Sequence, residues 1–271
     1  MPVSTINGSP VWRRHTMRER LMIWARWLAG ALLFIYCFQI ISENTEWMFV
    51  EDAGRQGLDL ASRMVPPKWD YLSVILVPLW DTLSIATLGT LFSVIISVPV
   101  AFLAARNTTP SVLVARPIAL FIIVSSRSIN SLIWALLLVQ IFGIGIFAGI
   151  LAITLRSVGF VSKLLYEAIE EIDAAQVEAI TATGASGPQK LLFGIVPQIM
   201  PAFAGISVYR WDINIRESTV VGWVGAGGIG LQLKSSVDII AWNQVTLIIL
   251  AILATVVVSE WISAKVRHSI I

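Results

Sequence analysis

The sequence has few of the residues that build disulfides, metal sites and histidine-dependent catalytic centres. Its 271 residues include one cysteine, Cys37, and two histidines, His15 and His268, near opposite ends of the chain. A single cysteine excludes an internal disulfide and a cluster of thiolate metal ligands. Two histidines so far apart in sequence offer no basis for a multi-histidine metal site or a His-based catalytic triad. We therefore predict neither a metal site nor catalytic residues.

Charged residues are also scarce. They make up 13% of the chain, whereas hydrophobic residues make up 56%. Average globular chains contain about 25% charged residues. A soluble, disordered or nucleic-acid-binding protein has no way to hide so much apolar surface. The composition therefore predicts an all-α protein that crosses the lipid bilayer several times and has no nucleic-acid partner.

Six apolar stretches are long enough to cross a bilayer, since a membrane-spanning helix needs about 20 apolar residues. They are Met22–Ile41, Leu79–Ala104, Pro117–Phe142, Ile144–Lys163, Pro197–Ile215 and Ile239–Ile262. Residues 1–21 are predicted to form a cytoplasmic N-terminal segment and residues 22–271 the transmembrane domain. Basic residues precede the first stretch, but no small-residue cleavage site follows it, which predicts a retained signal anchor.

The distribution of basic residues predicts the orientation of the chain. With the N terminus inside, ten Lys and Arg fall in cytoplasmic segments: Arg13, Arg14, Arg18, Arg20, Arg106, Arg116, Lys163, Lys190, Lys265 and Arg267. Four fall outside: Arg55, Arg63, Lys68 and Lys234. This bias predicts that both termini are cytoplasmic. Residues 42–78 then form a periplasmic loop, either a solvated connector with a short amphipathic helix or part of a docking surface for an extracytoplasmic partner.

The cytoplasmic loop between the fourth and fifth stretches, residues 164–196, has the local signals of a helix, a turn and a second helix. Asp173 is a helix-capping residue, and Gln176 three positions later completes a capping-box pattern. Gly184 lies where a left-handed helix stop is needed. Ser186 and Gln189 repeat the capping pattern. A loop with this much local order is more than a linker.

Four residues of this loop resemble the EAA loop of ABC importer permeases, whose pattern is E-A-A, three residues, G, nine residues and I-x-L-P. The matching residues are Glu178, Ala179, Gly184 and Pro197. The departures are Ile180, Gly194 and Val196, which stand where the family has Ala, Ile and Leu. In that family the loop forms a coupling helix that inserts into a groove on the ATPase subunit. The resemblance implies the same role for the four matching residues.

The flanking sequence is similar to permeases of the phosphonate transporter group. The similarity is carried by A-I-E-E-I-D, residues 168–173, and by Y-R-W-D-I-N-I-R-E-S-T-V-V-G-W-V-G-A-G-G-I-G, residues 209–230. It extends from about Leu79 onward. The resemblance implies a type I ABC importer permease fold in the bacterial inner membrane, a homodimeric pore, two ATPase subunits and a periplasmic binding protein. Because the sequence contains no Walker motif, ATP and Mg are expected to bind to the partner ATPase, and we expect no cofactor in this chain.

Polar residues surround an arginine in the third apolar stretch. Arg127 lies about ten residues into that stretch, or roughly 15 Å along a helix. A charge at this depth is costly and usually faces a cavity, a partner or a pathway. Where the phosphonate group reads R-[ST]-I-P-E, this chain has Asn130 and Ser131 in the last two positions. The polar residues around Arg127 are Ser125, Ser126, Ser128, Asn130 and Ser131. This polar belt either lines a hydrated anion path or forms hydrogen bonds between helices.

The fifth stretch carries alternating charged and polar residues. Arg210 and Asn214 are four residues apart and share a helix face, as do Asp212 and Arg216. Arg210 then points to the pathway while Asp212 and Arg216 pair, or all of them form a structural salt-bridge network. Arg156, in the fourth stretch, either extends to the membrane surface or pairs with a carboxylate. The predicted pathway residues are Arg127, Asn130, Arg210, Asn214 and Arg216.

A glycine-rich segment follows the fifth stretch. Gly225, Gly227 and Gly230 satisfy G-x-G-x-x-G, but a dinucleotide site also needs a preceding strand and an acidic residue about 20 positions on. We therefore reject nucleotide binding. Together with Gly228, these glycines are predicted to form a tightly bent gate loop outside the membrane, which is also a candidate contact for the binding protein.

These observations predict the permease subunit of an ATP-driven importer for phosphonate or a related phosphorus oxyanion, such as phosphite or hypophosphite. One alternative is a permease for another small substrate, such as phosphate or methionine. A second is an ion-coupled secondary transporter, which would favour carboxylates within the spans and an internal repeat. A third is a membrane anchor without a transport role.

Overall fold

The computed structural model describes residues 3–6, 9–12 and 16–270, with side chains from residue 16 to residue 269. Arg13 and Arg14, which contribute to the predicted orientation, lie outside the described residues. The chain divides into two compact units, residues 1–61 and 62–271. The described residues are almost entirely helical apart from one short hairpin. The predicted all-α class is therefore confirmed.

The first unit contains the hairpin, one long helix and most of a second helix. Strands β1 (Val3–Ile6) and β2 (Ser9–Trp12) pair in antiparallel fashion. Helix α1 (Met17–Asn44) starts with a capping box, in which the Thr16 N–H donates to Glu19 Oε2 at 2.9 Å. The helix is long and apolar enough to cross a bilayer, as predicted for the first apolar stretch.

Most of the predicted periplasmic loop, residues 42–78, is helical. It contains α2 (Trp47–Met64), a short 3₁₀ turn at Trp69–Tyr71 and the beginning of α3 (Leu72–Ala104). The second span thus begins at Leu72 rather than Leu79. Helix α2 is amphipathic, which confirms the helix predicted within this connector. The location of the segment outside the membrane remains a prediction.

The second unit is a bundle that contains α3 and the helices that follow it. They are α4 (Ala115–Ser128), α5 (Ser131–Phe142), α6 (Ile146–Glu170), α7 (Ala174–Ala182), α8 (Gly187–Lys190), α9 (Val196–Gly222), α10 (Gly228–Asp238) and α11 (Trp242–Ile270). A turn of π-helix at Leu191–Ile195 joins α8 to α9. Among the described residues, five helices are long and apolar enough to cross a bilayer: α1, α3, α6, α9 and α11.

Small residues on α3 allow close packing against α6 in the centre of this bundle. They recur every four residues and are all buried: Gly89, Ser93, Ser97 and Ala101. A Cβ on Gly89 would lie 2.8 Å from Ile153 Cγ2 on α6. The Ser162 hydroxyl of α6 donates to the Ser97 carbonyl at 3.3 Å. Small side chains and interhelical hydrogen bonds of this kind are what hold membrane helices together.

The third predicted span, Pro117–Phe142, is two helices rather than one. Helix α4 ends at Ser128, α5 begins at Ser131, and the two are bent by 89° relative to each other. Asn130 causes the new start, because its Oδ1 accepts a hydrogen bond from the Leu132 N–H at 3.2 Å. The prediction that Arg127 lies in the middle of a continuous span is wrong, since it lies in the last turn of α4. The bent pair raises the number of spans to six if it counts as one.

The last three predicted spans are confirmed as helices, but they extend past the apolar stretches. Helix α6 continues to Glu170 rather than Lys163, and α9 continues to Gly222 rather than Ile215. Helix α11 continues to Ile270 rather than Ile262. Charged residues such as Lys and Glu are good helix formers, so a helix does not end where the apolar run ends.

Candidate functional site

The segment between α6 and α9 has the predicted order of helix, turn and helix. Asp173 caps α7, because its Oδ1 accepts a hydrogen bond from the Ala175 N–H at 2.9 Å. Gly184 has a φ of +81°, the left-handed conformation expected at a helix stop. The Ser186 N–H donates to Gln189 Oε1 at 2.8 Å, which confirms the second capping box.

The predicted capping box between Asp173 and Gln176 is wrong, because Gln176 does not accept the backbone hydrogen bond of Asp173. The backbone N–H of Asp173 donates to Gln198 Oε1 at 2.9 Å, not to Gln176. Gln176 Nε2 instead donates to the Asp173 side chain at 3.4 Å. Gln198 lies in the first turns of α9, and its Nε2 also donates to the Gly194 carbonyl at 2.7 Å. The beginning of α7 is therefore tied to the beginning of α9.

Helix α7 lies against the π turn through two apolar side chains. A Cβ on Gly194 would lie 3.4 Å from Ile180 Cδ1 and 3.6 Å from Val177 Cγ2. Two of the residues that match the EAA pattern, Glu178 and Ala179, are exposed instead. Because one side of α7 packs on this chain, the exposed Glu178 and Ala179 remain available to a partner. Pro197, which completes the pattern, is an exposed residue in the first turn of α9.

Glu170, at the end of α6, holds three helices together next to α7. Its Oε1 accepts a hydrogen bond from the Arg106 N–H at 2.8 Å and contacts Arg116 Nη2 at 3.4 Å. The Nε of Arg116 also donates to the Ala104 carbonyl at 3.0 Å. The ends of α3 and α6 are thereby joined to the beginning of α4.

Two arginines and one glutamate form an ion-pair cluster between α6 and α9. Glu217 Oε1 lies 3.4 Å from Arg156 Nη1, and Glu217 Oε2 lies 3.3 Å from Arg210 Nη2. The side chains of Arg210, Glu217 and Arg156 are 3%, 16% and 31% exposed, respectively. The ring of Phe160 covers Arg210, with the guanidinium carbon 5.1 Å from the ring centroid. Arg156, which the sequence left undecided between a surface position and a carboxylate partner, is paired.

Hydrogen bonds extend this cluster in both directions. On one side, Arg156 Nη1 donates to Asn130 Oδ1 at 3.1 Å and to Ser131 Oγ at 3.3 Å. On the other side, Arg210 Nε donates to Ser157 Oγ at 2.9 Å. The Ser157 hydroxyl in turn donates to Asn214 Oδ1 at 3.1 Å, and Asn214 Nδ2 donates to Thr90 Oγ1 at 2.8 Å. One polar network therefore runs from the α4–α5 break through α6 and α9 to α3.

A second ion pair lies on another face of α9. Arg216 Nη2 contacts Asp212 Oδ2 at 2.6 Å, which confirms the predicted pair. Asp212 is buried, and its Oδ1 accepts a hydrogen bond from the Ser259 hydroxyl of α11 at 2.9 Å. The Arg216 side chain is 46% exposed on this single chain. A half-exposed arginine on a span faces either a water-filled path or another protein surface.

The residues around Arg127 separate into different roles. The Ser126 hydroxyl donates to the Leu155 carbonyl and accepts from the Gly159 N–H at 2.8 Å, so it joins α4 to α6. Asn130 caps α5 and contacts Arg156. Arg127 is exposed. The polar belt is therefore partly an interhelical contact, and the pathway role of Arg127 stays a prediction.

The glycine-rich segment is a buried bend within the bundle. Residues 225–230 are all buried, and Gly225, Gly227 and Gly228 have φ values of +99°, +81° and +72°. The predicted tight bend is therefore confirmed. The bend packs against α3, where the Ile229 N–H donates to Thr82 Oγ1 at 2.7 Å. Its location on the outer side of the membrane stays a prediction.

Close backbone contacts explain two further glycines next to this bend. A Cβ on Gly230 would overlap the Thr219 carbonyl oxygen, and a Cβ on Gly222 would overlap the Gly227 carbonyl oxygen. These glycines are buried in the single chain, and the contact with a binding protein predicted for this segment stays a prediction. The segment follows α9 directly, without the strand that a dinucleotide site requires.

Sequence reasoning missed Glu217 as a member of the site, although a signal was present. Glu217 lies seven residues after Arg210, which is two helical turns and the same face. Gln198 and Glu170 were missed for a different reason, since their partners are distant in sequence. Across residues 16–269, no three His, Cys, Asp or Glu side chains come together as a metal site would need.

A helical bundle with several apolar spans, a capped loop between two of them and a buried ionic network is the architecture expected of a membrane transport subunit. Residues 97–270 match the family described as "binding-protein-dependent transport system inner membrane component". The chain belongs to this family, and its resemblance to ABC importer permeases is confirmed. It is thus a non-catalytic membrane subunit, and the secondary-transporter and membrane-anchor alternatives are removed.

Individual relatives agree with this assignment. The chain is 43% identical over 208 residues to the phosphite transport system permease protein of Stutzerimonas stutzeri, covering 77% of this chain and 75% of the relative. It is 40% identical over 209 residues to a phosphate-import permease protein of Mycolicibacterium smegmatis, covering 77% of this chain and 39% of that protein. Among solved structures, an inward-facing MetNI methionine ABC transporter aligns with a TM-score of 0.65 at 19% identity, over 75% of this chain and 99% of that chain. The last comparison shows the fold alone.

Proposed function

We propose that this permease carries a phosphonate or a related phosphorus oxyanion, such as phosphite or hypophosphite, across the bacterial inner membrane. The observation that carries the proposal is the 43% identity to a phosphite permease over 77% of the chain. The paired Arg156 and Arg210 support it, because a guanidinium binds tetrahedral oxyanions through parallel hydrogen bonds. Phosphate is the second candidate, since a relative at 40% identity is described as a phosphate-import permease.

The proposal includes partners that complete the transporter. Two ATPase subunits bind ATP and Mg, a second copy of this chain completes a homodimeric pore, and a periplasmic binding protein delivers the substrate. The exposed Glu178 and Ala179 on α7 are the surface that we assign to the ATPase. Gly184 and Pro197 set the length and direction of this coupling loop. The N-in and C-in orientation places the loop on the cytoplasmic side.

The contacts around α7 suggest how ATP hydrolysis is coupled to transport. Closure of the ATPase pair on ATP moves α7, and the Asp173–Gln198 hydrogen bond transfers this movement to α9. Glu170 transfers it to α3 and α4. Because α9 carries Arg210 and α6 carries Arg156, relative movement of the two helices separates the ion-pair cluster and opens the path outward. Hydrolysis returns the helices to the inward-facing arrangement.

The pathway in this proposal contains exposed and buried residues. Arg127 and Arg216 are exposed on the single chain, and Asn130 lies at the break between α4 and α5. Arg210 and Asn214 are buried in the present arrangement, and Arg210 is paired with Glu217. Movement of α6 relative to α9 makes them more accessible from the path. The bend formed by Gly225, Gly227, Gly228 and Gly230 is assigned to a gate.

The substrate is tested with the complete transporter in proteoliposomes, together with its cognate ATPase and binding protein. ATPase stimulation by the binding protein is measured with phosphite, methylphosphonate, phosphate and methionine in turn. We expect phosphite or methylphosphonate to stimulate ATPase activity and to enter the vesicles. Stimulation by methionine alone would refute the proposed substrate class, and stimulation by phosphate alone would select the second candidate.

A further inference from the structure

We propose that Glu217 is an internal competitor for the transported anion, so that its carboxylate occupies the place that an oxyanion takes between Arg156 and Arg210. The inference rests on the proposed function, which it deepens by naming the anion site and the group that guards it. The ligand class is a small oxyanion with at least two charged oxygens.

The geometry of the cluster is that of a bridging anion site. The two oxygens of Glu217 are divided between two arginines from different helices, at 3.4 Å from Arg156 Nη1 and 3.3 Å from Arg210 Nη2. A phosphonate or phosphite offers the same arrangement, with one oxygen for each guanidinium. The site is therefore already shaped for an anion, and Glu217 supplies that anion from within the chain.

The charge balance of the cluster favours replacement of Glu217 by an anion that carries more negative charge. Arg156 and Arg210 carry two positive charges, whereas Glu217 carries one negative charge. Asp212 does not supply the second one, because its oxygens contact Arg216 at 2.6 Å and Ser259 at 2.9 Å. An excess positive charge between helices is costly unless it is paired. The residual charge attracts a substrate anion, which displaces Glu217 rather than joining it.

The two arginines have polar and ring partners besides Glu217, whereas the polar contacts of the Glu217 carboxylate are to these arginines. Arg210 is held by Ser157 at 2.9 Å and by the ring of Phe160, and Arg156 is held by Asn130 and Ser131 at 3.1 and 3.3 Å. The contacts that the structure gives Glu217 are those to the two arginines. Rotation of one side chain therefore exposes both guanidiniums in place. In the absence of substrate, the same carboxylate joins α6 to α9 and keeps smaller anions out.

The test measures anion binding to the purified permease–ATPase complex in detergent, without the binding protein, by isothermal titration with phosphite and with sulfate. The variant Glu217→Gln removes the competing charge and keeps the shape of the side chain. We expect its Kd for phosphite to fall about tenfold relative to the wild type, because the anion no longer displaces a charged partner. The double variant Arg156→Gln/Glu217→Gln should lose this gain.

Glu167→Gln is the control, since it removes a carboxylate from an exposed ion pair with Lys163 that lies outside the cluster and the assigned pathway. Its phosphite affinity should stay within about twofold of the wild type. An unchanged or higher Kd in Glu217→Gln, or an equal gain in Glu167→Gln, would overturn the inference. If Glu217→Gln fails to assemble, Glu217→Asp replaces it, because this variant retracts the carboxylate by one methylene. Its Kd for phosphite should fall about threefold. The absence of any decrease would also overturn the inference.

The outcomes separate this inference from the proposed function. Transport of phosphite by the wild type without a gain in Glu217→Gln refutes the internal competitor and leaves the substrate intact. A gain for sulfate in Glu217→Gln, with no phosphorus oxyanion transported by the wild type, supports the internal competitor and refutes the substrate.

Discussion

Ile180 Cδ1 on α7 lies 3.4 Å from the position that a Cβ on Gly194 would occupy. At both positions the sequence departs from the EAA pattern, with a large side chain in place of Ala and no side chain in place of Ile. The two departures meet in space, and each accommodates the other. The larger side chain at Ile180 occupies the space that the missing side chain at Gly194 leaves, so α7 still packs against the π turn.

This contact predicts compensation between the two positions. Gly194→Ile should overpack the contact and destabilise the protein by about 1–3 kcal/mol. Ile180→Ala should cost about 1 kcal/mol, because Ile180 is half-buried. The double variant should recover most of the loss, measured as thermal midpoint and as copurification with the ATPase. Additive losses in this double-mutant cycle would show that the two residues are independent.

Reversal of the exposed charge on α7 should release the ATPase. Glu178→Arg changes a side chain that is exposed in this chain, so the fold should survive while copurification of the ATPase falls about tenfold or more. Glu171→Arg is the control, because Glu171 is also exposed but lies outside the EAA pattern. Full coupled ATPase activity in Glu178→Arg would remove α7 from the coupling surface.

Loss of the Gln198 side chain should loosen α7 from α9. Gln198→Ala removes the acceptor for the Asp173 N–H, a bond worth about 1 kcal/mol, so amide exchange in Ala174–Ala182 should accelerate roughly fivefold. Stimulated ATPase activity should persist while transport per ATP declines. Gln176→Ala, which removes only the neighbouring contact at 3.4 Å, should change neither. Identical behaviour of the two variants would contradict a link through Gln198.

Addition of one methyl group at Gly230 should disrupt the buried bend. The new Cβ would overlap the Thr219 carbonyl oxygen, and backbone cannot move away as a flexible side chain can. We expect Gly230→Ala to cost more than about 1–3 kcal/mol and to reduce the yield of assembled complex. Gly205→Ala is the control, because nothing lies within 4 Å of its Cβ and alanine favours a helix. A normal thermal midpoint for Gly230→Ala would show that the bend is not closely packed.

Local chemistry explains which parts of the loop could be predicted from the sequence. Asp173, Gly184 and Ser186 act on residues within three or four positions, so their roles follow from spacing alone. Gln198 acts on Asp173 across 25 residues, and no local rule indicates that pairing. The ion-pair cluster has the same property, because Arg156 and Glu217 come from different helices.

The break between α4 and α5 was not predicted, for a different reason. Long apolar runs flank the mostly polar residues 125–131, which include Asn130, on both sides, and a search for apolar stretches of spanning length treats the whole segment as one span. The competing signal was the asparagine itself, which favours helix starts over helix interiors. Its effect depends on whether neighbouring helices accommodate the bend. Here Arg156 does so by donating to Asn130 Oδ1.

The same break has a consequence for how the chain enters the membrane during synthesis. Helices α4 and α5 contain 14 and 12 residues, or about 21 and 18 Å, against a hydrocarbon core about 30 Å thick. Neither half is long enough to insert independently. The Ser126 hydroxyl finds its partners on α6, at the Leu155 carbonyl and the Gly159 N–H, and α6 is synthesised later. We therefore expect α4 and α5 to wait at the membrane surface until α6 emerges, so that this part of the bundle is assembled out of chain order.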